Sequence, residues 1–518
     1  MKKESKAARV ERIKRDKDGL DVLSDIHRYA QDRTAVDAED IDRLKWYGLY
    51  TQNRSLQEES DTIQYFMLRV KLEQGELTTQ QLKTVGSISV RYAQNSADFT
   101  TRQDLQFHWI QIKDLPDIFS QLEAVGLSTQ LSAGDCVRNV VCCPVNGIDA
   151  DQHADVTEVV HQINNAFRNN RIFSNLPRKF KIGICGCPKH CISHEIQDLS
   201  FTAASLSDHE TLFSVSVGGG LGSSRRIAEH IGYISMHQAV GVAKAVTELF
   251  RDHGNRDNRS KARLGHLIAQ WGITTFRSKL EKKLGFALLQ HEPPQFTPYA
   301  ERTHFGIHQS INKEESYIGC AVNSGHIGGE ALLELATLLH VNSAHAIRAT
   351  ATQNFVVIGV PNERTLALAS SLEDLGFSAF PSVFKARTLA CTGLNFCKFA
   401  VSETKGLAHN IINHLQEEFP HFSEPLSISV NGCPNACAHP YVVDIGLLGC
   451  MVKENNQRVS GFELIFYGHL EGEKSHFGIK SGIKVTPQSA PYVIAELIQE
   501  YQDNNSTDFK KFLKEKSA

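Results

Sequence analysis

Two rhythms of apolar and polar positions alternate along this chain. Through DVLSDIHRYAQ, residues 21–31, apolar side chains recur every three or four positions, so residues 1–34 read as a polar, solvated surface helix. From Phe66 the sequence MLRVKL predicts a strand, the stretch from Leu77 to Val85 a helix, and ISVRYA (88–93) a second strand. LQFHWIQI (105–112) predicts a third strand, followed by a helix through Leu122. Mixing of the two periods in this way predicts an α+β fold.

The chain also repeats itself. TTRQDLQFHWIQIKDLPDIFSQLEAVGLST, starting at Thr100, resembles TATQNFVVIGVPNERTLALASSLEDLGFSAF, starting at Thr350. Each copy runs strand, turn, helix and small-residue exit. A cysteine segment follows each, VRNVVCCPVNG and then TLACTGLNFCKFA, and after it comes a strand ending in a second, FKIGICGCPKHC and then LSISVNGCPNACA. The halves therefore read as duplicated modules about a pseudo-two-fold axis, with a shared cofactor expected at the interface. The expected parts are a lead-in (1–34), a half-domain (35–125) and a larger domain (126–294), then a second half-domain (295–384) and a second larger domain (385–518).

Composition bounds what such a protein can do. Its 518 residues, 41% hydrophobic and 22% charged, suffice for roughly three lobes of about 150 residues. A net charge of −3 gives no global basic field, which argues against nucleic acid or an anionic membrane as the main partner. Any anion site must be local. The N-terminal segment MKKESKAARVERIKRDKDGLD lacks the apolar core of a signal peptide, and no window of ~20 apolar residues follows. A cytoplasmic monomer is the expectation, and there the 12 cysteines point to metal before disulfides.

Four thiols stand out in the second half. Cys391 and Cys397 form one pair, Cys433 and Cys437 another, on turn-forming sequence around Gly432, Pro434 and Asn435. Soft thiolates select iron–sulfur clusters or zinc. The wide first pair is unlike the tight pairs of zinc knuckles, although zinc, or four merely buried cysteines, remains open on spacing alone.

ACTGLNFCKFAVSETKG together with VNGCPNACAHPYVVDIGLLG resembles the sirohaem sulfite and nitrite reductases, in the single-chain form fed by ferredoxin or a flavoprotein reductase. The resemblance runs from ERIKRDKDGLDVL and RLKWYGLYTQ to about residue 500. It implies ferredoxin-like half-domains and sirohaem- and cluster-binding domains. It also implies a 4Fe–4S cluster on Cys391, Cys397, Cys433 and Cys437, with Cys437 shared between cluster and haem iron. Arg69, Arg138, Lys179 and Lys181 match the family's substrate-pocket cations. Lys179 and Lys181, two apart, should share one face of a strand, and such a set suits a small oxyanion that sheds oxygen as water.

Arg102, Gln106 and His108 along one strand, and Arg259 and Arg263 one helical turn apart, resemble the contacts to the haem's carboxylates. Gln353 and Asn354, counterparts of Gln103 and Asp104, are expected on the opposite side. In the first half, Cys142, Cys187 and Cys191 are taken as matching Cys391, Cys433 and Cys437, with Ile148 in place of Cys397. That set, with Cys136, Cys143 and Cys185, is read as a relic of the duplication, a second metal site being the alternative. Six-electron reduction of sulfite to sulfide is the leading activity, because a second lysine suits a dianion. Reduction of nitrite to ammonium is the alternative, and a non-enzymatic electron carrier or sirohaem-binding protein the competing class. No G-x-G-x-x-G fingerprint occurs after a strand, so electrons are expected from an external donor.

Overall fold

Alternating β-branched and aromatic residues build, among the described residues, 20 strands arranged in four sheets of five in the computed structural model. It describes residues 4–54, 57–58, 60–187, 191–207, 210–222, 224–294, 304–470, 474–504 and 508–516. In the first half, Leu49–Thr51 (β1), Phe66–Val70 (β2), Glu76–Thr78 (β3), Ala97–Phe99 (β4) and Leu105–Ile110 (β5) precede a second group. That group is Val141–Cys142 (β6), Ile182–Cys185 (β7), Leu199–Ser207 (β8), Glu210–Val217 (β9) and Glu229–Ser235 (β10). The second half repeats the order with Gly306–Gln309 (β11), Glu315–Cys320 (β12), His326–Ile327 (β13), Ala346–Ala349 (β14) and Phe355–Pro361 (β15). Thr388–Ala390 (β16), Ile428–Asn431 (β17), Ile445–Glu454 (β18), Gln457–Phe466 (β19) and Ile479–Val485 (β20) complete it.

The halves exchange strands. One sheet runs β1-β2-β5-β4-β13 and its mate β11-β12-β15-β14-β3, so each takes its edge strand from the other half. Ile327 pairs with Ala97, and Leu77 with Ile347. Helices Thr79–Tyr92 and Gly329–Val341 follow the exchanged strands and pack on each other. Their backbones approach closely, because a Cβ on Gly329 would stand 2.6 Å from the Ser89 side chain and 2.7 Å from the Gly86 carbonyl oxygen. One continuous core fills both exchanged sheets, while two further cores lie under β10-β9-β8-β7-β6 and under β16-β17-β18-β19-β20. This is an α+β fold of three lobes built from a duplication.

Three local expectations change. ISVRYA is not a strand: Ile88 to Tyr92 are the last turns of helix Thr79–Tyr92. That helix begins at Thr79 rather than Leu77, because Thr78 and Gln81 form a capping box and Leu77 is drawn into the exchanged strand. Nor does the lead-in float in solvent. Helices Lys6–Asp16 and Leu23–Asp32 bury Ile13, Ile26 and Tyr29, and Lys14 reaches Asp135 and the Leu176 carbonyl. No helix among the described residues is long and apolar enough to cross a membrane.

Candidate cluster and oxyanion site

Parallel strands deliver the second-half thiols together. Ala390 pairs with Val430, so Cys391 and Gly432–Cys433 leave β16 and β17 side by side, and the Gly432 N–H donates to Cys391 Sγ at 3.2 Å. Gly432 is needed there, since a Cβ would stand 2.8 Å from both the Ala400 methyl and the Ser402 carbonyl oxygen. Other amides, those of Gly393 at Cys391, Phe399 and Ala400 at Cys397, and Asn435 at Cys433, also point at the sulfurs. Burial and the nearby Cys437 push Cys391 up to about 12, and burial pushes Cys433 up to about 11. As thiolates the four would repel one another, which together with burial keeps Cys391 and Cys433 protonated without metal, and iron relieves that repulsion. Amide donors on a set of four soft ligands fit a cubane cluster. Cys437 alone of the four is exposed.

The first half supplies the charge opposite Cys437. Thr101 donates its hydroxyl to the Cys437 carbonyl at 3.0 Å across the seam. Lys179 and Lys181 lie on an extended segment entering β7, with Phe180 fully buried between them on the other face. Burial, then Arg263 and Arg138, lower Lys179 to about 8, and Cys437 acts on it in the opposite sense. Lys181 is lowered too, by burial and then by Lys179 and Arg102. Among the described residues neither ammonium has an ion pair or hydrogen-bond partner. Arg69 reaches the Ser132 carbonyl and Gln106, and Arg138 reaches Gly134, Ser132 and Tyr50. The buried Nε of Arg69 and of Arg102 are left without partners. A basin of mutually repelling cations, Arg102 and Arg138 buried and Arg69, Lys179 and Lys181 half-buried, facing an exposed thiol fits a polyanionic macrocycle and a small oxyanion.

Other predicted residues are placed less directly. Arg102 is buried and donates to Gln197 and to the Asn139 and Ile182 carbonyls, and burial lowers it to about 10. Gln106 spans Asp98 and Thr392. His108 is fully buried, bonded to Asp98 at 3.0 Å and stacked 3.9 Å from Phe396. Arg259 and Arg263 do not share a helical turn: Asn258 caps a short turn at Arg259–Lys261, and Arg263 caps helix Leu264–Trp271. Arg259 forks onto Asp135 at 2.8 and 2.9 Å, and Arg263 onto Asp198 at 3.1 and 2.6 Å. Arg263 borders a cleft floored by Gly218, Gly219 and Gly220. Gln353 bonds the Phe99 and Ala390 carbonyls, while Asn354 bonds the Val322 N–H and the Ala386 carbonyl.

The latch at Gln353 corrects the alignment of the halves. Gln353 accepts from the Ala390 N–H at 3.0 Å, and its counterpart Gln103 accepts from the Cys142 N–H at 2.7 Å. Strand pairing agrees, Cys142 opposite Ile184 and Ala390 opposite Val430. Cys142 therefore matches Ala390, Cys143 matches Cys391, and Asp149 replaces Ile148 as the counterpart of Cys397. In the same register Arg69, Arg138, Lys179 and Lys181 correspond to Gly319, Ala386, Pro425 and Ser427. None of the four cations recurs in the second copy.

Sequence reasoning missed Tyr50, Asp135 and Asp198. Burial resists ionisation of Tyr50, but Arg138, Arg69 and Lys179 pull it down to about 8, placing a phenol donor among the cations. Its only sequence signal is its place in RLKWYGLYTQ. The two aspartates were invisible because their importance lies in charges brought from 65 to 124 residues away.

Known proteins resemble the chain over the same elements. A family model described as "Nitrite and sulphite reductase 4Fe-4S domain" matches residues 133–288 and 384–513, and one described as "Nitrite/Sulfite reductase ferredoxin-like half domain" matches 58–125. A protein named sulfite reductase (ferredoxin) 2 from Mycolicibacterium paratuberculosis is 34% identical over 464 residues, 86% of this chain and 82% of its own. A ferredoxin–nitrite reductase from Synechococcus elongatus is 35% identical over 506 residues, 96% of both chains. The solved structure of the Mycobacterium tuberculosis NirA protein superposes with a TM-score of 0.91 at 31% identity, covering 97% of this chain and 95% of that one. With thiols, cations and fold in agreement, the chain belongs to the nitrite and sulphite reductase family, oxidoreductases whose cofactors are sirohaem and a 4Fe–4S cluster.

Proposed function

We propose that the chain reduces sulfite to sulfide with electrons from a ferredoxin. The observation that carries this reading is the pair of unpartnered ammoniums, Lys179 and Lys181, set with Arg69 and Arg138 opposite Cys437. Two arginines suit a fork-like grip on adjacent oxygens, and two compact lysines suit proton delivery. Four cations also match a dianion with three oxygens better than a monoanion with two. The donor is proposed from the name of the mycobacterial relative, a sulfite reductase (ferredoxin).

When bound, the cofactors would relay the donor's six electrons to the oxyanion. Cys391, Cys397, Cys433 and Cys437 would hold the cluster, and Cys437 would also serve the haem iron. Arg102, Gln106, Arg263 and the glycine cleft would meet the haem's carboxylates. His108, Arg259, Gln353 and Asn354 would act one step removed, fixing the backbone and carboxylates that orient the others. Each sulfite oxygen leaves as water once two protons reach it. Lys179 and Tyr50, both near pKa 8, are protonated at neutral pH and placed to give those protons. A monomer in a reducing cytoplasm, where thiols are kept for metal, completes the proposal.

Nitrite reduction is the second reading, supported by the full-length similarity to the cyanobacterial ferredoxin–nitrite reductase. A product assay with a reduced viologen separates the two. Sulfide from sulfite should form faster than ammonium from nitrite at equal concentration, and the reverse order would overturn the proposal.

A further inference from the structure

The first half has three thiols at cluster positions although the second half has none of the four cations. Cys143, Cys187 and Cys191 occupy the places of Cys391, Cys433 and Cys437, and all three are buried. A histidine joins them from beyond the repeat boundary. His304, two residues before β11, brings Nε2 to 2.7 Å from Cys191 Sγ and 3.6 Å from Cys143 Sγ. The ligand atoms of Cys143, Cys191 and His304 all lie within 4.8 Å of one another, and Cys187 Sγ is 3.5 Å from Cys191 Sγ. Val141, Val145, Ile192, Tyr317, Val356 and Ile358 pack around the group.

These distances distinguish one ion from a cluster. Tetrahedral zinc with bonds of about 2.3 Å to sulfur and 2.0 Å to nitrogen puts its ligand atoms about 3.5–3.8 Å apart; the contacts at 3.5 and 3.6 Å already fit, and the His304–Cys191 hydrogen-bond contact of 2.7 Å opens to admit the ion. A cubane holds its four cysteine sulfurs much farther apart, because iron and sulfide lie between them. We propose that Cys143, Cys191 and His304, with Cys187 turning in as the fourth ligand, bind a single zinc ion. Three thiolates and an imidazole form a closed set with no position for substrate, so the role is structural. Since His304 opens the second repeat and the cysteines belong to the first, the ion staples the two halves.

Metal analysis of the holoenzyme from zinc-replete cells, after washing with a mild chelator, tests this. The expected result is about one zinc per chain beside about five iron atoms of cluster and haem. X-ray absorption at the zinc edge should show three sulfurs and one nitrogen. Cys143→Ser and His304→Ala should lose the zinc with the Soret band and iron count unchanged, while His304→Cys should retain it. Should the first two variants fail to fold, the wild-type zinc count and the His304→Cys protein still decide. Zinc below about a tenth of an atom per chain, about four additional iron atoms, or a Cys187–Cys191 disulfide found by mass spectrometry would each overturn the proposal.

Discussion

Asp198 fixes Lys181 through its backbone: the carboxylate accepts the Lys181 N–H at 2.8 Å while both its oxygens hold Arg263. In the second half Asp444 does the same for Ser427, also at 2.8 Å, where no cation is presented. One scaffold thus carries a lysine in one copy and a serine in the other. Replacing Lys181 should remove a substrate contact without disturbing its support. Lys181→Asn is expected to lower kcat/KM for sulfite by roughly 10²-fold, and for nitrite by less. Equal losses for both anions would count against a role in selecting the dianion.

Lys179 and Tyr50 set the expected pH profile. Both titrate near 8, and both are proton donors only below that value. The kcat/KM for sulfite, which reports the free enzyme, should therefore fall as pH rises past about 8. Loss of two protons makes the limb steeper than a single ionisation, and Tyr50→Phe should reduce its slope to one. A profile flat well above pH 8 would contradict the assignment.

Asp135 ties the lead-in helix to the site lobe. Burial opposes its ionisation, but the Arg259 fork, Lys14 and Arg178 hold it well below the usual carboxylate range. A carboxylate whose folded pKa is depressed contributes stability above its unfolded value and loses it as pH falls through the folded one. Asp135→Asn should thus cost about 3–5 kcal/mol at neutral pH by leaving buried cations unpaired. In denaturant titrations the gap from wild type should narrow below about pH 4. A constant gap from pH 7 to 3 would show that the loss is not electrostatic.

Much of this architecture was legible in the sequence because duplication writes the same pattern twice. The paired strands, the order of the cysteine segments and the face shared by Lys179 and Lys181 followed from periodicity and self-similarity. What failed depended on tertiary pairing. Ile88–Ala93 alternates like a strand, but the cap at Thr78 commits it to a helix. The exchanged strands β3 and β13 are too short to announce themselves. The Cys142-Cys143 doublet offered two registers, and only the strand ladder and the Gln103 and Gln353 latches choose between them. His304 could not be linked to Cys191 at all, 113 residues away.

The contact at Gly86 and Gly329 tests the exchanged architecture. Gly329→Ala would press a methyl against Ser89 and the Gly86 carbonyl, with backbone on one side unable to yield. A loss of about 1–3 kcal/mol is expected in thermal or denaturant unfolding. Gly376→Ala, at an open left-handed position outside this contact, should produce a smaller loss from backbone strain alone. Equal losses would mean that the helix contact is not close.

The account rests on cations from one half meeting thiols from the other at a single site. Titrating sulfite into the resting holoenzyme while following the Soret band tests this most directly. Lys179→Met and Lys181→Met should each weaken sulfite binding by roughly tenfold or more, with iron content and the unliganded spectrum unchanged. Unaltered sulfite affinity in both variants would contradict it.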